Sequence, residues 1–269
     1  MFRRATAMWS LLLVLPAAGI ADVRALCTLV VEAGTGVAAV REGDCATRWS
    51  PASTFKVPLA LMGFDAGILT SPEAPEVPFR EGNADWRPEW RQPATPRTWM
   101  RDSVVWYSQW LTPQLGLARM QAYLDAFAYG NRDLSGRPGA GDGLTTAWLG
   151  SSLQISPDEQ VAFLRRMLDG GLPVSAAAVA KTETILDHGT SAGGWRVHGK
   201  TGAATARRAD GSPDRAHPIG WFVGWAEKAG ERVVFARLVQ REGADDVPPG
   251  WRARDWVLGV LFGPDSPLD

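Results

Sequence analysis

Histidine and cysteine are scarce in this chain of 269 residues, and charge of either sign is never concentrated. The three histidines, His188, His198 and His217, show no metal-ligand spacing. They argue against a metal centre and against a histidine-based nucleophile triad, and read as structural or surface residues. Neither cysteine, Cys27 or Cys45, has a histidine or a helix start beside it, which argues against a catalytic thiol. The formal net charge is −1 with no long charge run. Nothing in it suggests nucleic acid or an anionic membrane surface as partner. No segment reaches the roughly 20 apolar residues that span a bilayer.

The one pronounced apolar run lies at the N-terminus. Arg3 and Arg4 precede Met8 to Pro16, and the small residues Ala17, Ala18, Gly19 and Ala21 follow. That order is expected of a secretory signal peptide over residues 1–21, cut after Ala21, with Ala25 as the alternative. The mature protein, residues 22–269, is then expected to be an exported, periplasmic single domain. Cys27 and Cys45 flank an expected hairpin, 28–32 and 37–41 about Ala33-Gly34-Thr35-Gly36. Pairing about that turn brings the two cysteines roughly opposite each other, as a disulfide in an oxidising compartment or as two free thiols.

Ser53 and Lys56 stand three residues apart at the expected start of a helix running to Gly67. On a helix, i and i+3 share one face. A hydroxyl needs a base to become a nucleophile, and a lysine can be that base only when burial lowers its pKa or its amine is modified. Leu59, Leu61, Met62 and Phe64 make this helix apolar nearly all round, as in the centre of a fold. Residues 70–97, rich in proline, tryptophan and charge, read as a long irregular excursion. Helix is expected over 98–110, with Trp99, Ser103, Trp106 and Trp110 on one stripe. A second is expected from Thr112-Pro113, burying Leu117, Met120, Leu124 and Phe127 and ending in the turn Tyr129-Gly130-Asn131. A Gly-rich loop, Ser135 to Gly143, follows. Ser156-Pro157-Asp158-Glu159 is a capping box opening a helix that stops at Gly170-Gly171, and another helix is expected over 175–186. The periodicity then changes to 2. A strand is expected at 195–202, a hairpin from 219–225 and 232–239, and a closing helix over 251–262.

Ser53-Thr54-Phe55-Lys56, Ser103-Val104-Val105, Tyr129-Gly130-Asn131, the Trp148 region continuing into Gln154-Ile155-Ser156, Lys200-Thr201-Gly202 and Trp221-Phe222-Val223-Gly224-Trp225 occur in that order. Each is common alone. Together, at these separations, they resemble the class D, oxacillinase-type serine β-lactamases, from the first hairpin to the last helix. The class A pattern has Ser-Asp-Asn as its middle element; here Val104 and Val105 follow Ser103, the class D form. The resemblance implies an α/β (α+β) fold of the penicillin-binding-protein type. An antiparallel sheet comes from both chain ends, with an all-helical subdomain inserted at about 70–187.

The resemblance also implies roles. Ser53 is the expected nucleophile and Lys56, carbamylated by CO2 or bicarbonate to N6-carboxylysine, the base; no other cofactor and no metal are expected. A neutral amine attacks CO2 whereas an ammonium cannot. Phe55, Val105, Trp148 and Leu149 would provide the apolar surroundings that keep it neutral. The Trp148 indole, which can only donate, would hold the carbamate, unless it is simply a core tryptophan. Ser103 would pass a proton to the lactam nitrogen, unless its hydroxyl bonds back to its own helix. The backbone N–H groups of Ser53 and Ala203 would form the oxyanion hole. Lys200 and Thr201, followed by Gly202, would hold the substrate carboxylate with Arg254 or, alternatively, Arg252. Tyr129 would line the site, and Val105 and Leu149 would form an apolar gate. Expected partners are small-molecule β-lactams, for a monomer or homodimer with no membrane association after signal cleavage. The competing readings are a β-lactam sensor that acylates without turnover and a cell-wall transpeptidase or carboxypeptidase.

Overall fold

The computed structural model describes residues 23–207, 212–243 and 246–268. The expected signal peptide and its cut after Ala21 lie outside the described residues. Six strands form one antiparallel sheet in the order β2-β1-β6-β5-β4-β3. These are β1 (Val23–Glu32), β2 (Ala38–Gly43), β3 (Asp187–Thr190), β4 (Arg196–Arg207), β5 (Pro213–Lys228) and β6 (Glu231–Arg241). The expected hairpins are present, and the last is longer than its apolar residues suggest. Ala25 pairs with Val239 inside the sheet, so cleavage after it would remove three paired residues of β1.

Period-2 alternation sorts the central strands between two cores. Trp221, Val223 and Trp225 of β5 join Leu29, Val31, Val234, Ala236 and Leu238 against the main helical block. Phe222 and Ala226 face the other way with Val30, Phe235 and Val239. There they meet Ala253 and Val257 of the C-terminal helical segment. Arg237 lies on this second face, its guanidinium 3.6 Å from the Trp256 ring centroid and donating to Thr28 Oγ1 at 2.6 Å. At the edge of the sheet, Cys27 and Cys45 form the disulfide, with Cα atoms 5.1 Å apart.

The helices are α1 (Lys56–Asp65), α2 (Pro96–Asp102), α3 (Val105–Leu115), α4 (Leu117–Phe127), α5 (Gly143–Thr146), α6 (Pro157–Leu168), α7 (Ala176–Leu186) and α8 (Pro249–Trp256). A 3-10 turn, Ala52–Phe55, precedes α1, and a π-helical turn, Val257–Leu261, continues α8. α1 is buried on every side from Lys56 to Phe64, as its all-apolar sequence requires. The capping box at Ser156 forms, with Ser156 Oγ and Glu159 each closing on the other's backbone N–H.

Three helical expectations are corrected. The 98–110 stripe is broken: α2 ends at Asp102, the next residue, Ser103, is left-handed with φ 60° and ψ 33°, and α3 starts at Val105. Pro113 does not open a helix but sits in the last turn of α3, where a missing N–H costs one bond. The break falls at Gly116, φ 77°. Leu117, placed in the buried stripe of α4, is exposed because it stands on the first turn after that break. The closing helix starts at Pro249, not 251. Two short elements carry no periodic signal and were not expected: β3 and the single turn α5.

Candidate active site

The Ser53–Lys56 pair is built by a change of helix type. Pro51 and Ala52 lead into the 3-10 turn, and Ala52 has φ 49°. A non-glycine residue there is strained by about 1–3 kcal/mol and is found mainly where the surrounding structure over-determines it. Thr54 donates its N–H and its hydroxyl to Pro51 O at 3.0 and 2.7 Å. Gln160 of α6 in turn donates to Thr54 Oγ1 at 2.8 Å in the buried interior. From the other side, Gly202 of β4 lies so close that a Cβ there would come within 3.0 Å of Pro51 O and 3.2 Å of Thr54 N. The glycine of Lys-Thr-Gly thus lets the strand approach the turn. Fixed on both sides, Ser53 Oγ stands 3.3 Å from Lys56 Nζ.

Lys56 is 1% exposed. Burial drives its amine pKa well below the ordinary lysine value, and the positive charge of Lys200 pushes it the same way. Lys200 on β4 is also depressed, to about 7, chiefly by burial and then by the charges of Arg87 and Arg254, against an opposing effect of Asp102. The two lysines disfavour each other's charge, and Lys200 is the one whose amine has polar partners beyond the serine beside it. The Lys200 amine donates to Ser103 Oγ at 3.1 Å, Thr201 O at 3.0 Å and Thr201 Oγ1 at 3.3 Å. Ser103 reaches it because the left-handed backbone that ends α2 turns its side chain out of the helix. Its hydroxyl therefore does not bond back to its own helix.

A cavity of about 500 Å³ opens over these groups. Its wall brings together Ser53, Ser103, Val105, Leu149, Lys200, Thr201, Gly202, Ala203 and Arg254, from five separate stretches of chain. Arg252, the alternative to Arg254, is not part of it. α8 reaches the cavity because Gly220 and Gly250 leave no room for side chains: a Cβ on Gly220 would stand 2.2 Å from the carbonyl carbon of Pro249. Gly220→Ala must therefore lift α8 off β5 and carry Trp251 and Arg254 away from Lys200. A loss of about 1–3 kcal/mol in stability and a KM rise exceeding the kcat change are expected; denaturant melts and steady-state kinetics check both.

Trp148 and Tyr129 do not reach the cavity wall. Both are buried one layer behind it, around Phe55. Trp148 stacks on the Phe55 ring at 5.2 Å and 23°, and Tyr129 meets its edge at 5.8 Å and 61°. Burial raises the Tyr129 phenol above its ordinary value, an effect that Thr54 and Gln160 oppose. Neither Trp148 Nε1 nor the Tyr129 hydroxyl has a hydrogen-bond partner. Other buried indoles nearby are satisfied: Trp99 donates to Ser108 Oγ, Trp106 to Trp90 O and Trp221 to Ser50 O. A buried, unused donor beside the residue preceding Lys56 is the feature of this site that calls for an acceptor.

Several wall residues have no counterpart among those singled out from the sequence. Trp86, Arg87 and Trp90 come from the 70–97 excursion, His188 from β3 and Trp251 from α8. His188, read as structural or surface, is a cavity residue; its Nε2 lies 3.1 Å from Gly199 O and burial lowers its pKa. Tryptophan density in 86–110 was the available signal for the first group. Among the described residues no group of three His, Cys, Asp or Glu side chains is placed to hold a metal ion.

Comparison with known proteins gives concordant matches. The model of the penicillin binding protein transpeptidase domain matches residues 25–249. Beta-lactamase OXA-9 of Klebsiella pneumoniae is 46% identical over 236 residues, covering 87% of this chain and 86% of that protein. The crystal structure of the class D β-lactamase OXA-427 superposes with a TM-score of 0.81 at 49% identity, over 86% of this chain and 94% of that one. The C-terminal domain of the Bacillus licheniformis BlaR penicillin-receptor superposes with a TM-score of 0.73 at 26% identity, over 86% of each chain.

Proposed function

Because the chain belongs to the class D β-lactamases, we propose that it hydrolyses β-lactam antibiotics through an acyl-enzyme on Ser53. The observation that carries this is the 3.3 Å Ser53–Lys56 pair, with its lysine buried and its pKa lowered by that burial. Ser53 Oγ attacks the lactam carbonyl, its proton leaves to the base, and the ring C–N bond breaks as the nitrogen takes a proton by way of Ser103. The backbone N–H groups of Ser53 and Ala203 receive the developing oxyanion. Lys200, Thr201 and Arg254 hold the substrate carboxylate. A water then cleaves the ester and returns Ser53 to its hydroxyl form.

The base in both halves is Lys56 as its carbamate. Carbon dioxide forms an N–C bond with the neutral amine, a proton departs to solvent, and the product is an anionic base. The residues fit that group. Burial favours the neutral amine, and Trp148 Nε1 is a buried donor with no other acceptor. Val105 and Leu149 keep water from the lysine at the cavity wall. Tyr129 acts from behind, holding Phe55 and Thr54 and thereby the serine turn.

The chain is proposed to be exported to the periplasm after cleavage at Ala21, to act as one domain with a helical subdomain at about 70–187, and to function as a monomer or homodimer. No helix among the described residues is long and apolar enough to cross a membrane. The receptor-domain likeness keeps one other reading in play, acylation without turnover. Purified protein mixed with a chromogenic cephalosporin is expected to complete many turnovers per active site. A single burst equal to the enzyme concentration would make it a sensor.

A further inference from the structure

Arg87 lies on the 70–97 excursion, immediately before the 3-10 turn Pro88–Trp90. Its guanidinium carbon stands 5.2 Å from the centroid of the Trp251 ring, and that of Arg254 stands 5.7 Å from the same ring. Trp251 and Arg254 are one turn apart on α8, whereas Arg87 reaches the indole from a separate stretch of chain. Both guanidiniums line the cavity.

Of the arginines nearest to it in sequence, three are neutralised. Arg91 pairs with Asp85, Arg97 with Glu73 and Arg101 with Asp102. Arg87 forms no ion pair among the described residues. The carboxylates of the cavity wall do not compensate it: Asp102 is taken by Arg101 and Asp187 by Arg196, while Glu89 makes no salt bridge with it. Arg254 pairs with Asp255 at 2.8 Å, so of the two guanidiniums on this indole Arg87 is the one without an ion pair. The ring's face, worth about 0.5–2 kcal/mol per cation, holds each in place without neutralising either. Lys200 feels the result, since among the charges that lower its pKa Arg87 comes before Arg254. Arg87, Lys200 and the Asp255-paired Arg254 therefore converge on one end of the cavity, where positive charge outweighs negative and favours an anion.

We infer that Arg87 is a second guanidinium of the carboxylate-binding end, acting with Lys200 and Arg254 on the anionic group of the substrate, and that Trp251 is the shared platform aligning the two arginines. The inference rests on the β-lactam reading. It assigns a binding role to a residue of the irregular excursion and makes the excursion part of substrate recognition. Arg87 touches the substrate's anion and takes no part in bond making.

The test compares a penicillin carrying a single carboxylate with its methyl ester, on wild type, Arg87→Gln and Arg87→Lys. For the acid, Arg87→Gln is expected to lower kcat/KM about tenfold, mostly through KM, which is the loss of one charge-assisted contact. For the ester the loss is expected to stay below twofold, and Arg87→Lys is expected to recover part of the acid rate. The fall of kcat/KM with added salt should also flatten in Arg87→Gln. Equal losses on acid and ester, with an unchanged salt slope, would mean that Arg87 only packs against Trp251 and would overturn the assignment. So would unchanged kinetics, or a loss confined to penicillins with a second carboxylate on the side chain. A wild-type enzyme that turns over no β-lactam would remove the underlying reading itself.

Discussion

Lys56→Met is expected to lower kcat/KM by about 10³–10⁴-fold on every β-lactam the enzyme accepts. General-base catalysis is worth about 10²–10⁴ per step, and Lys56 is proposed to serve both acylation and deacylation. Methionine fills nearly the same volume, so α1 keeps its packing. Removing a buried amine also removes its desolvation cost, and Tm is expected to stay level or rise. That combination, activity gone and stability kept, separates a chemical from a structural role. The pH dependence has a definite sign. The Lys56 pKa is depressed by burial, so the amine is neutral above that lowered value and protonates as pH falls through it. Protonation expels the carbamate. Wild type stripped of CO2 is therefore expected to lose activity most at mildly acidic pH and to regain it with bicarbonate; Lys56→Met should not respond. A stripped wild type at full rate would remove the carbamate from the mechanism and leave the bare amine as base.

Much of this site was legible because its parts are local. Ser53 and Lys56 carry their geometry in a three-residue spacing, and the apolar sequence of α1 already implied a lysine without water. Lys200-Thr201-Gly202 announced itself as a strand by its period, and its glycine has a steric reason in Pro51 and Thr54. What stayed hidden depends on breaks and on long-range closure. The stripe through Trp99, Ser103 and Trp106 has helical spacing, yet the backbone turns left-handed at Ser103 so that its hydroxyl can meet Lys200, 97 residues away. Nothing in the period of a helix encodes that contact. Pro113 carries the same sign at the start of a helix as in the last turn of one, and only packing decides. The cavity's far wall comes from stretches with no periodicity. Arg87 and Trp251 are 164 positions apart and meet because two glycines bring α8 down on the sheet.

Trp148→Phe is expected to divide the reaction in two. The ring that stacks on Phe55 is kept, the donor is lost, and the core loses little. Acylation should fall less than tenfold, because the Lys56 amine is still 3.3 Å from Ser53 Oγ and can take its proton directly. Deacylation should fall further, by roughly 10–150-fold, the equivalent of a hydrogen bond to a charged group at about 1.5–3 kcal/mol. It depends on an anionic base held in one position against water, and an anion without its donor in a buried site reverts to amine and CO2. Stopped-flow acylation and steady-state turnover, measured on one substrate, should show an acyl-enzyme that accumulates in the variant and not in wild type. More bicarbonate should be needed to reach half-maximal rate. The unpartnered Nε1 already in the fold is what gives this prediction its direction: the donor is present before its acceptor, and the interior bears the cost of burying it. Equal losses in both steps, with unchanged bicarbonate dependence, would reduce Trp148 to a packing residue and leave that cost without a purpose.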